Sequence, residues 1–411
     1  MTRIAIIGGG ASGLAAGITA VRNGASVAVF EQNDSLGKKI LSTGNGRCNL
    51  TNLNMGSENY RGDDSEFIQE FLDGFGVSEA MDFFASVGIF IKYRGDYVYP
   101  LSDQASTVRD ALVMELHRLG ADVRKNCHVE EIRKGKKGFL IFCAGEPSLY
   151  RADKVILAAG SKASRIAGSD GSGYALAEGL GHHLSPVVPA LVQLISDKKC
   201  LKRLAGIRIT AQVSLYVDGQ ITAKDTGELQ LTDYGISGIP VFQVSRYAAK
   251  ALNRKQRVMA EIDFAPFLTT EDLMEELLRR QRLWKRCAAE KLLNTIFPSK
   301  LIPVLLSEAG IERQIWGEKL SGKQLGKLAA VCKRFLVPVS DTKPFSDAQV
   351  CAGGVRTDEV CPCTMESKLV KGLYLTGELL DVDGICGGYN LHFAWGSGIR
   401  AGRHAAVKNA L

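Results

Sequence analysis

Three glycines near the start of the chain have the spacing G-x-G-x-x-G, which is typical of a phosphate-binding turn. Gly8, Gly10 and Gly13 lie between the apolar strand predicted for residues 3–8 and a run of small residues suited to a helix. The first glycine permits a tight turn, the second lets the backbone approach a pyrophosphate, and the third lets helix and strand pack closely. Because the helix would direct free N–H groups at the phosphates, the pattern predicts a dinucleotide site rather than a chance turn.

Glu31 supports the same conclusion. It ends the next predicted strand, residues 26–31, and lies 18 residues after Gly13. A carboxylate at this place accepts hydrogen bonds from both hydroxyls of an adenosine ribose and repels a 2′-phosphate. The two strands, with a helix from about residue 11 to residue 24 between them, predict the opening of a doubly wound α/β sheet.

The loop that follows Glu31 indicates which dinucleotide is bound. Residues 36–52 read LGKKILSTGNGRCNLTN, with glycines at 37, 44 and 46 and basic residues between them. Such a loop can wrap the second half of an extended dinucleotide, with Lys39 and Arg47 facing phosphate or the pyrimidine edge of a flavin. It favours FAD over NAD, and a purely structural loop is the alternative.

A second element, more than 300 residues later, also favours FAD. A short apolar strand within residues 372–378 ends in Gly377-Glu378, and residues 381–390 form another glycine turn before a terminal helix at about 391–408. In FAD proteins of the glutathione-reductase-like group, an element of this kind binds the ribitol and directs the helix N-terminus at the flavin. The helix dipole would then stabilise the anionic reduced flavin.

Changes in periodicity divide the chain into four segments. We predict an FAD-binding domain made of residues 1–188 and 335–411, a β-rich substrate domain at 189–265, and a helical subdomain at 266–334. The helical segment is basic, since residues 266–335 contain 13 basic and 8 acidic side chains. A solvated helical face explains this excess better than a binding site for anions does.

Composition excludes several classes of protein. The 411 residues are 45% hydrophobic with a net charge of +7, and they contain no secretory leader and no run of 18 apolar residues. We therefore predict a cytoplasmic protein that does not bind membranes. The ten cysteines contain no C-x-x-C pair and the six histidines no H-x₃₋₅-H set, so we predict no disulfide framework and no structural metal.

The motifs together resemble a family of NAD(P)/FAD-dependent oxidoreductases, the FAD flavoproteins that include aminoacetone oxidase and 3-dehydro-bile acid Δ4,6-reductase. The resemblance covers nearly the full length. Its signatures are IIGGGASGLAA at the start, GKKILSTGNGRCNLTN at 37–52, YPLSD at 99–103, TGELQLTDYGISGIPVFQVS at 226–245, and TMESKLVKGLYLTGELLDVDGICGGYNLHFAWGSGIRAG at 364–402.

The resemblance implies a Rossmann-like α/β FAD domain of the glutathione-reductase type, interrupted by a β-barrel-like insert and a small helical subdomain. It places Val129 near the adenine through its backbone. Motifs and resemblance together predict these cofactor-binding residues: Gly8, Gly10, Ala11, Ser12, Gly13, Glu31, Gln32, Lys39, Gly46, Arg47, Cys48, Asn49, Val129, Ala159, Gly160, Gly377, Glu378, Asp381, Gly388, Tyr389, Asn390 and Leu391. The chain departs from the family pattern at Ser161, where a glycine is expected, and at His392, where a glutamine is expected.

The predicted reaction is reduction of an activated C=C bond in a small or steroid-like substrate. The chain contains no second strand-G-x-G-x-x-G-helix unit, so NADH or NADPH would dock transiently as electron donor. Protonation of the carbon opposite the hydride needs an acid, for which Tyr389, His392 and Tyr99 are the chosen candidates, ahead of Tyr97 and Tyr234.

Two other functions are consistent with the same flavin motifs. One is an amine oxidase, in which the substrate reduces FAD and dioxygen reoxidises it. The other is an RNA-binding or regulatory flavoprotein, but the basic segment offers no aromatic platform beyond Trp284 and no RNA-binding motif. The predicted partner is thus a small-molecule substrate and not a nucleic acid, and the sequence does not specify an oligomeric state.

Overall fold

The computed structural model describes residues 1–145, 149–164 and 168–407. These residues form two compact units. Residues 1–187 and the chain from 349 onward form the first, and residues 188–348 form the second. The glycine motifs and the C-terminal helix all belong to the first unit.

The helices are α1 Ala11–Arg22, α2 Ser65–Asp73, α3 Val77–Ser86, α4 Ala105–Arg118, α5 Ser172–Gly179, α6 Leu201–Leu204, α7 Ile239–Asn253, α8 Thr270–Leu283, α9 Ile302–Ala309, α10 Gly322–Lys333 and α11 Tyr389–Ala406. The strands are β1 Arg3–Ile7, β2 Ser26–Phe30, β3 Thr51–Asn52, β4 Tyr60–Arg61, β5 Ile91–Arg94, β6 Tyr97–Pro100, β7 Asp122–Arg124, β8 Val129–Gly135, β9 Gly138–Cys143, β10 Tyr150–Ala152, β11 Lys154–Leu157, β12 Leu184–Ala190, β13 Leu194–Ile195, β14 Arg208–Val217, β15 Gln220–Leu231, β16 Gly235–Gly238, β17 Val258–Asp263, β18 Phe335–Val339, β19 Asp341–Thr342, β20 Val350–Val355, β21 Leu373–Leu375 and β22 Asp383–Gly384.

The core of the first unit is a parallel sheet with the strand order β21-β11-β1-β2-β7. In the register, Ile4 of β1 lies opposite Val27 of β2 and Lys154 of β11. The four residues from Ile4 to Ile7 are all buried, as expected for a parallel strand covered on both faces. The predicted α/β class with a Rossmann-type parallel sheet is confirmed.

Helices α1 and α11 approach each other closely because α11 carries two glycines four residues apart. A Cβ atom on Gly398 would lie 2.2 Å from the carbonyl oxygen of Ser12, and one on Gly402 would lie 2.4 Å from that of Ala16. Residues with this spacing share one face of a helix. The two helices therefore pack backbone against backbone and fix the two glycine turns within one unit.

We expect Gly398→Ala to lower the free energy of unfolding by about 2–3 kcal/mol, because the new methyl group overlaps a backbone oxygen in a packed core. Urea denaturation followed by circular dichroism measures the change. Gly326→Ala in α10 is the matched control, since nothing lies within 4 Å of a Cβ there and a helical Gly→Ala change stabilises by roughly 0.5–1 kcal/mol. Equal unfolding curves for the two variants would contradict the close packing.

The second unit is built on a seven-stranded antiparallel sheet in the order β18-β17-β14-β15-β16-β13-β19. Helix α7 packs on this sheet through Val241, Val244 and Ala248, and these residues share a core with Leu273 of α8 and Leu325 of α10. The β-rich and helical segments, which the sequence separates at 265, thus form a single core.

The described strands of the seven-stranded sheet do not close into the predicted barrel-like domain. The end strands β18 and β19 are consecutive in the chain, with only Ser340 between them, but within the described part of this unit they do not pair with each other. The boundary predicted at 335 also differs from the structure. Phe335 pairs with Ile262, and residues 335–348 belong to the second unit. The sequence misplaced this boundary because a long-range pairing leaves no mark on the local sequence pattern.

Candidate active site

The glycine turn between β1 and α1 contains two glycines that the packing of the fold requires, Gly8 and Gly13, and one that it does not, Gly10. A Cβ on Gly8, whose φ is +104°, would lie 2.4 Å from the oxygen of Ala158, and one on Gly13 would lie 2.0 Å from the oxygen of Gly8. Nothing lies within 4 Å of a Cβ on Gly10. The free space in front of Gly10, beside Ala11 and the buried Ser12 at the N-terminus of α1, is a cradle that could hold a pyrophosphate.

Glu31 braces this turn as well as offering a carboxylate. Its Oε2 accepts the N–H of Gly9 at 2.9 Å, and its Oε1 accepts the backbone and side-chain N–H groups of Asn33 at 2.9 and 2.7 Å. Each carboxylate oxygen has further lone-pair capacity. The buried Glu31 can therefore bind ribose hydroxyls while it holds the turn.

Gln32 follows Glu31 directly in the chain, and Val129 begins the strand β8. The Gln32 side chain donates to the oxygen of Gly168 at 2.6 Å and contacts Nδ1 of His128 at 2.7 Å. Val129 is buried at the start of β8. The Gln32 side chain is thus held by protein groups.

Lys39 and Glu378 come from opposite ends of the chain and form an ion pair. Their Nζ and Oε2 atoms are 2.5 Å apart, and the same oxygen accepts the hydroxyl of Ser161 at 3.0 Å. Ala159 and Gly160 precede Ser161, and a Cβ on Gly160 would meet nothing within 4 Å. The sequence predicted that Lys39 faces a phosphate or the pyrimidine edge of a flavin. In the structure its ammonium binds the Glu378 carboxylate instead.

The loop before β3 contains residues in left-handed backbone conformations. Gly46 has φ +82° and Cys48 has φ +60°. Burial raises the pKa of the Cys48 thiol to about 12, so the thiol stays protonated at neutral pH, which argues against a redox role. The Arg47 side chain is exposed and makes no hydrogen bond or ion pair with a described residue, so it is available to an anion.

Asn49 has an unsatisfied polar atom. The residue is 7% exposed, and its Oδ1 has no hydrogen-bond partner among the residues that the structure describes. A Cβ on Gly388, which caps the N-terminus of α11, would lie 3.0 Å from this oxygen. The unpaired Asn49 oxygen would accept an N–H group of a ligand. The N-terminus of α11 beside it would favour an electron-rich edge of the same ligand.

Short hydrogen bonds shape the turn before α11. Asn390 accepts the N–H of Gly384 and donates to its oxygen, both at 2.8 Å, while Leu391 follows half-buried in the first turn. Oδ1 of the buried Asp381 accepts the N–H of Gly353 at 3.1 Å. Asn390 and Asp381 thus hold the backbone rather than presenting their side chains freely.

His392 is enclosed by protein groups, which argues against its sequence-based choice as the proton donor. It is fully buried, with Nδ1 2.8 Å from the hydroxyl of Thr51 and Nε2 3.4 Å from the oxygen of Phe75. Burial lowers its pKa from 6.5 to about 4. The imidazole is therefore neutral at pH 7 and links α11 to β3.

The lowered pKa makes His392 a source of acid sensitivity. Between pH 6.5 and about pH 4 the unfolded chain binds a proton at His392 that the folded chain does not, so stability is full above pH 6.5 and is lost as the pH falls. This loss amounts to roughly 3 kcal/mol. We expect His392→Gln to flatten the pH dependence of urea unfolding over this window, with His117→Gln as exposed control. Parallel pH profiles for all three proteins would contradict this assignment.

Tyr389 is likewise a poor proton donor. Its hydroxyl donates to the oxygen of Asn54 at 3.0 Å, its carbonyl accepts the hydroxyl of Tyr60 at 3.0 Å, and its ring is buried. The hydroxyl proton is already committed to a backbone carbonyl. Tyr389 therefore anchors the start of α11, which argues against its sequence-based choice as the acid.

Tyr99 remains as the candidate acid. Its ring is half-buried and lies beside the loop, since a Cβ on Gly44 would be 3.6 Å from Cε1 of Tyr99. The Tyr99 hydroxyl has no hydrogen-bond partner among the described residues. The guanidinium of Arg94 lies 5.4 Å from the ring centroid. Burial raises the pKa of Tyr99, so the hydroxyl carries its proton at neutral pH.

Sequence reasoning did not predict the hydrogen bonds that join these segments. Ser397 accepts the N–H of Gly377 at 2.9 Å, and a Cβ on Gly377 would lie 2.8 Å from the hydroxyl of Ser12. Thr51 and Ser161 hold His392 and Glu378 in the same way. No local motif marks such serines and threonines. Thr51 and Ser161 bind partners more than 200 residues away in the sequence, and Ser397 lies within a regular helix.

These features fit FAD. The cradle at Gly10 and the α1 N-terminus would hold the pyrophosphate, Glu31 the ribose, and the orphaned Asn49 amide with the α11 N-terminus the flavin. Within residues 1–145, 149–164 and 168–407, no group of three or more His, Cys, Asp or Glu residues is placed to hold a metal ion. The same residues contain no helix of the length and apolarity that a membrane crossing requires.

A family model described as HI0933-like protein Rossmann domain matches residues 2–404. The chain belongs to this family. Along its full length it is also 49% identical, over 410 residues, to a 3-dehydro-bile acid delta(4,6)-reductase of Clostridium scindens, with 99% of this chain and 100% of that protein covered. A ribosomal RNA dihydrouridine synthase of Escherichia coli is 27% identical over 398 residues, with 95% of each chain covered. The HI0933-like chain is therefore an FAD-dependent oxidoreductase.

A solved structure shows the same fold. The 3-ketosteroid-delta4-(5alpha)-dehydrogenase from Rhodococcus jostii superposes with a TM-score of 0.52 at 16% identity, covering 99% of this chain and 97% of that one. At this identity the likeness concerns the fold alone.

Proposed function

We propose that this oxidoreductase reduces a C=C bond conjugated to a carbonyl group in a small, steroid- or bile-acid-like substrate, with NADH or NADPH as electron donor. The full-length similarity to a bile-acid reductase carries the proposal. When bound, FAD supplies reversible hydride transfer between donor and substrate. The chain binds and orients this group through the Gly10 cradle, Glu31 and the start of α11.

Tyr99 supplies the proton in this proposal. Hydride addition to an enone must be matched by a proton at the neighbouring carbon. Of the three candidate acids, Tyr99 alone is partly exposed and has a hydroxyl without a hydrogen-bond partner in the described part of the chain. Tyr389 and His392 are buried, and their polar side-chain atoms are hydrogen-bonded to protein groups. Arg94, whose guanidinium lies beside the Tyr99 ring, forms an ion pair with Asp103, which also binds Lys92.

The deciding experiment is an anaerobic titration of the purified holoenzyme with NADH and with NADPH. Bleaching of the flavin absorption band by one nucleotide, followed by recovery on addition of an enone steroid, supports the reductase. With no separate nucleotide domain, steady-state kinetics should be ping-pong, with parallel double-reciprocal lines. A flavin that neither nucleotide bleaches, together with oxygen consumption on addition of a primary amine, would replace the reductase by an amine oxidase.

One surface favours a second candidate, reduction of a uracil ring in RNA, which is also a C=C bond conjugated to a carbonyl. Trp284 and Trp316 are 37% and 48% exposed, and the bridge between Ala288 and Trp316 brings their chain segments together. Four exposed cations near them make no ion pair with a described residue: Arg282, Lys285, Arg286 and Lys319. Aromatic faces among unpaired cations are typical of single-stranded RNA binding.

The two candidates separate in a binding assay. RNA binding through this surface should weaken steeply with salt and should fall by about tenfold in Trp284→Ala, since base stacking contributes roughly 1–3 kcal/mol. Steroid reduction should not change in that variant. Salt-independent binding, or equal binding by the variant, would remove the RNA candidate.

A further inference from the structure

Two cysteines separated by one proline lie in a tight turn of the first unit that the proposed chemistry does not use. The turn consists of Cys361, Pro362 and Cys363. The oxygen of Cys361 accepts the N–H of Thr364 at 3.3 Å, and the N–H of Cys361 donates to the oxygen of Glu366 at 2.9 Å. Proline suits the second position of such a turn. The backbone therefore holds the two cysteines at a short, fixed separation.

This separation suits a disulfide bond. Two residues of extended chain span at most about 7 Å, and the turn keeps the Cα atoms of Cys361 and Cys363 within that limit. Cα atoms joined through a disulfide usually lie about 4.4–6.8 Å apart. Both cysteines are free in the structure. A bond between them would close a very small ring, and strained or exposed disulfides are readily reduced again.

Cys363 is the accessible thiol of the pair. All ten cysteines lie in the described part of the chain; six are buried, three are partly buried, and Cys363 is exposed. Cys361 is one of the partly buried three. An accessible cysteine with a second cysteine beside it is typical of sites that react reversibly with peroxides.

A buried guanidinium lies against the turn. Arg400 of α11 is 7% exposed, and it donates to the oxygen of Pro362 at 2.5 Å and to that of Phe71 at 2.9 Å. It forms no ion pair with a carboxylate of the described residues, although buried charges are usually paired. Burial lowers the pKa of Arg400, and negative charge on Cys363 or Cys361 opposes that effect. The turn can thus supply the missing anion as a thiolate, which is the reactive form of cysteine.

We propose that residues 361–363 form a reversible redox site for peroxides, in which Cys363 reacts first and Cys361 then closes a disulfide. The Cys363 thiolate attacks one oxygen of hydrogen peroxide, the O–O bond breaks, and a sulfenic acid forms while hydroxide leaves. The Cys361 thiolate then attacks the Cys363 sulfur, the S–O bond breaks, and a second hydroxide leaves.

The protons of the two thiols convert both hydroxides to water. Two thiols thus lose two electrons and two protons, and one hydrogen peroxide becomes two water molecules. A dithiol reductant reverses the oxidation by thiol–disulfide exchange.

The experiment maps the thiols of the reduced holoenzyme after treatment with hydrogen peroxide. Remaining thiols are blocked with N-ethylmaleimide, and trypsin cleavage after Arg356 and Lys368 gives one peptide that contains both cysteines. By mass spectrometry, we expect the wild-type peptide to lack two hydrogen atoms and to carry no maleimide. Dithiothreitol added before the blocking step should restore both labels.

Three variants assign the roles. In Cys361→Ser the reaction should stop at the sulfenic acid of Cys363, which dimedone traps. Cys363→Ser should lose both the disulfide and the dimedone adduct. Cys287→Ser is the control and should form the disulfide as the wild type does, because Cys287 is partly buried in the second unit and burial raises its pKa.

Two results would overturn the assignment. One is a wild-type peptide that takes up two maleimide groups after peroxide treatment. The other is equal dimedone labelling of Cys287 and Cys363 in the Cys361→Ser protein, since the turn would then confer no reactivity of its own. The assay contains neither steroid nor nicotinamide nucleotide, so its result does not depend on the proposed reductase.

Discussion

Gly10→Val should give a folded protein that does not retain FAD. A side chain at Gly10 meets no protein atom within 4 Å, and the backbone φ of −77° suits any residue. The added side chain instead fills the space where the backbone must approach the pyrophosphate. We expect FAD affinity to fall on the order of a thousandfold, equivalent to roughly 4 kcal/mol.

Two measurements separate this effect from damage to the fold. The flavin-to-protein ratio of the purified variant should be close to zero, while the apo proteins should differ by only about 1 kcal/mol in unfolding free energy, as expected for a changed N-cap. Gly322→Val is the control, because Gly322, the first residue of α10, also lies at a helix N-terminus with free space around it but belongs to the second unit. A Gly10→Val protein with a full complement of flavin would refute the cradle.

The elements predicted well from sequence are those with local signatures. The strand β1, the glycine turn and α1 follow one another within 22 residues, and each is fixed by its own residue types and periodicity. The start of α11 is similar, since Gly388 takes the left-handed conformation that a glycine turn provides. Patterns of this kind need no knowledge of the rest of the chain.

What the sequence could not supply depends on pairing between distant segments. β18 has the alternation of any half-buried strand, and only its partner β17 assigns it to the second unit. Trp316 joins Trp284 at one surface through a bridge that no motif announces. The sequence placed Lys39 and Glu378 near the cofactor without indicating that they bind each other.

The choice among proton donors shows the same limit. A tyrosine or histidine beside a glycine turn has the right chemistry, but burial and partners decide whether its proton is free. His392 is adjacent to β3 and to the turn between α2 and α3 rather than open to a ligand, as its contacts with Thr51 and Phe75 show. Such contacts depend on where three separate segments meet, so residue type alone overstated its role.

Tyr99→Phe should lower kcat for enone reduction by about 10²–10⁴-fold, the range that a positioned general acid contributes. The rate of flavin bleaching by the nucleotide should not change, because donor oxidation requires no proton at a substrate carbon. Since burial raises the pKa of Tyr99 above the ordinary value of 10.0, the acid stays protonated through neutral pH. The wild-type rate should therefore show no loss attributable to this group until the pH exceeds 10.

Tyr93→Phe provides the matched control for this variant. Tyr93 lies on the neighbouring strand β5 opposite Val98, so its side chain points to the face of the sheet away from Tyr99, and it is 52% exposed. We expect its kcat to equal that of the wild type. If Tyr99→Phe also kept the full rate, the proton would have to come from solvent, and the half-buried hydroxyl would serve to position the substrate; a raised KM at unchanged kcat would be the sign of that role.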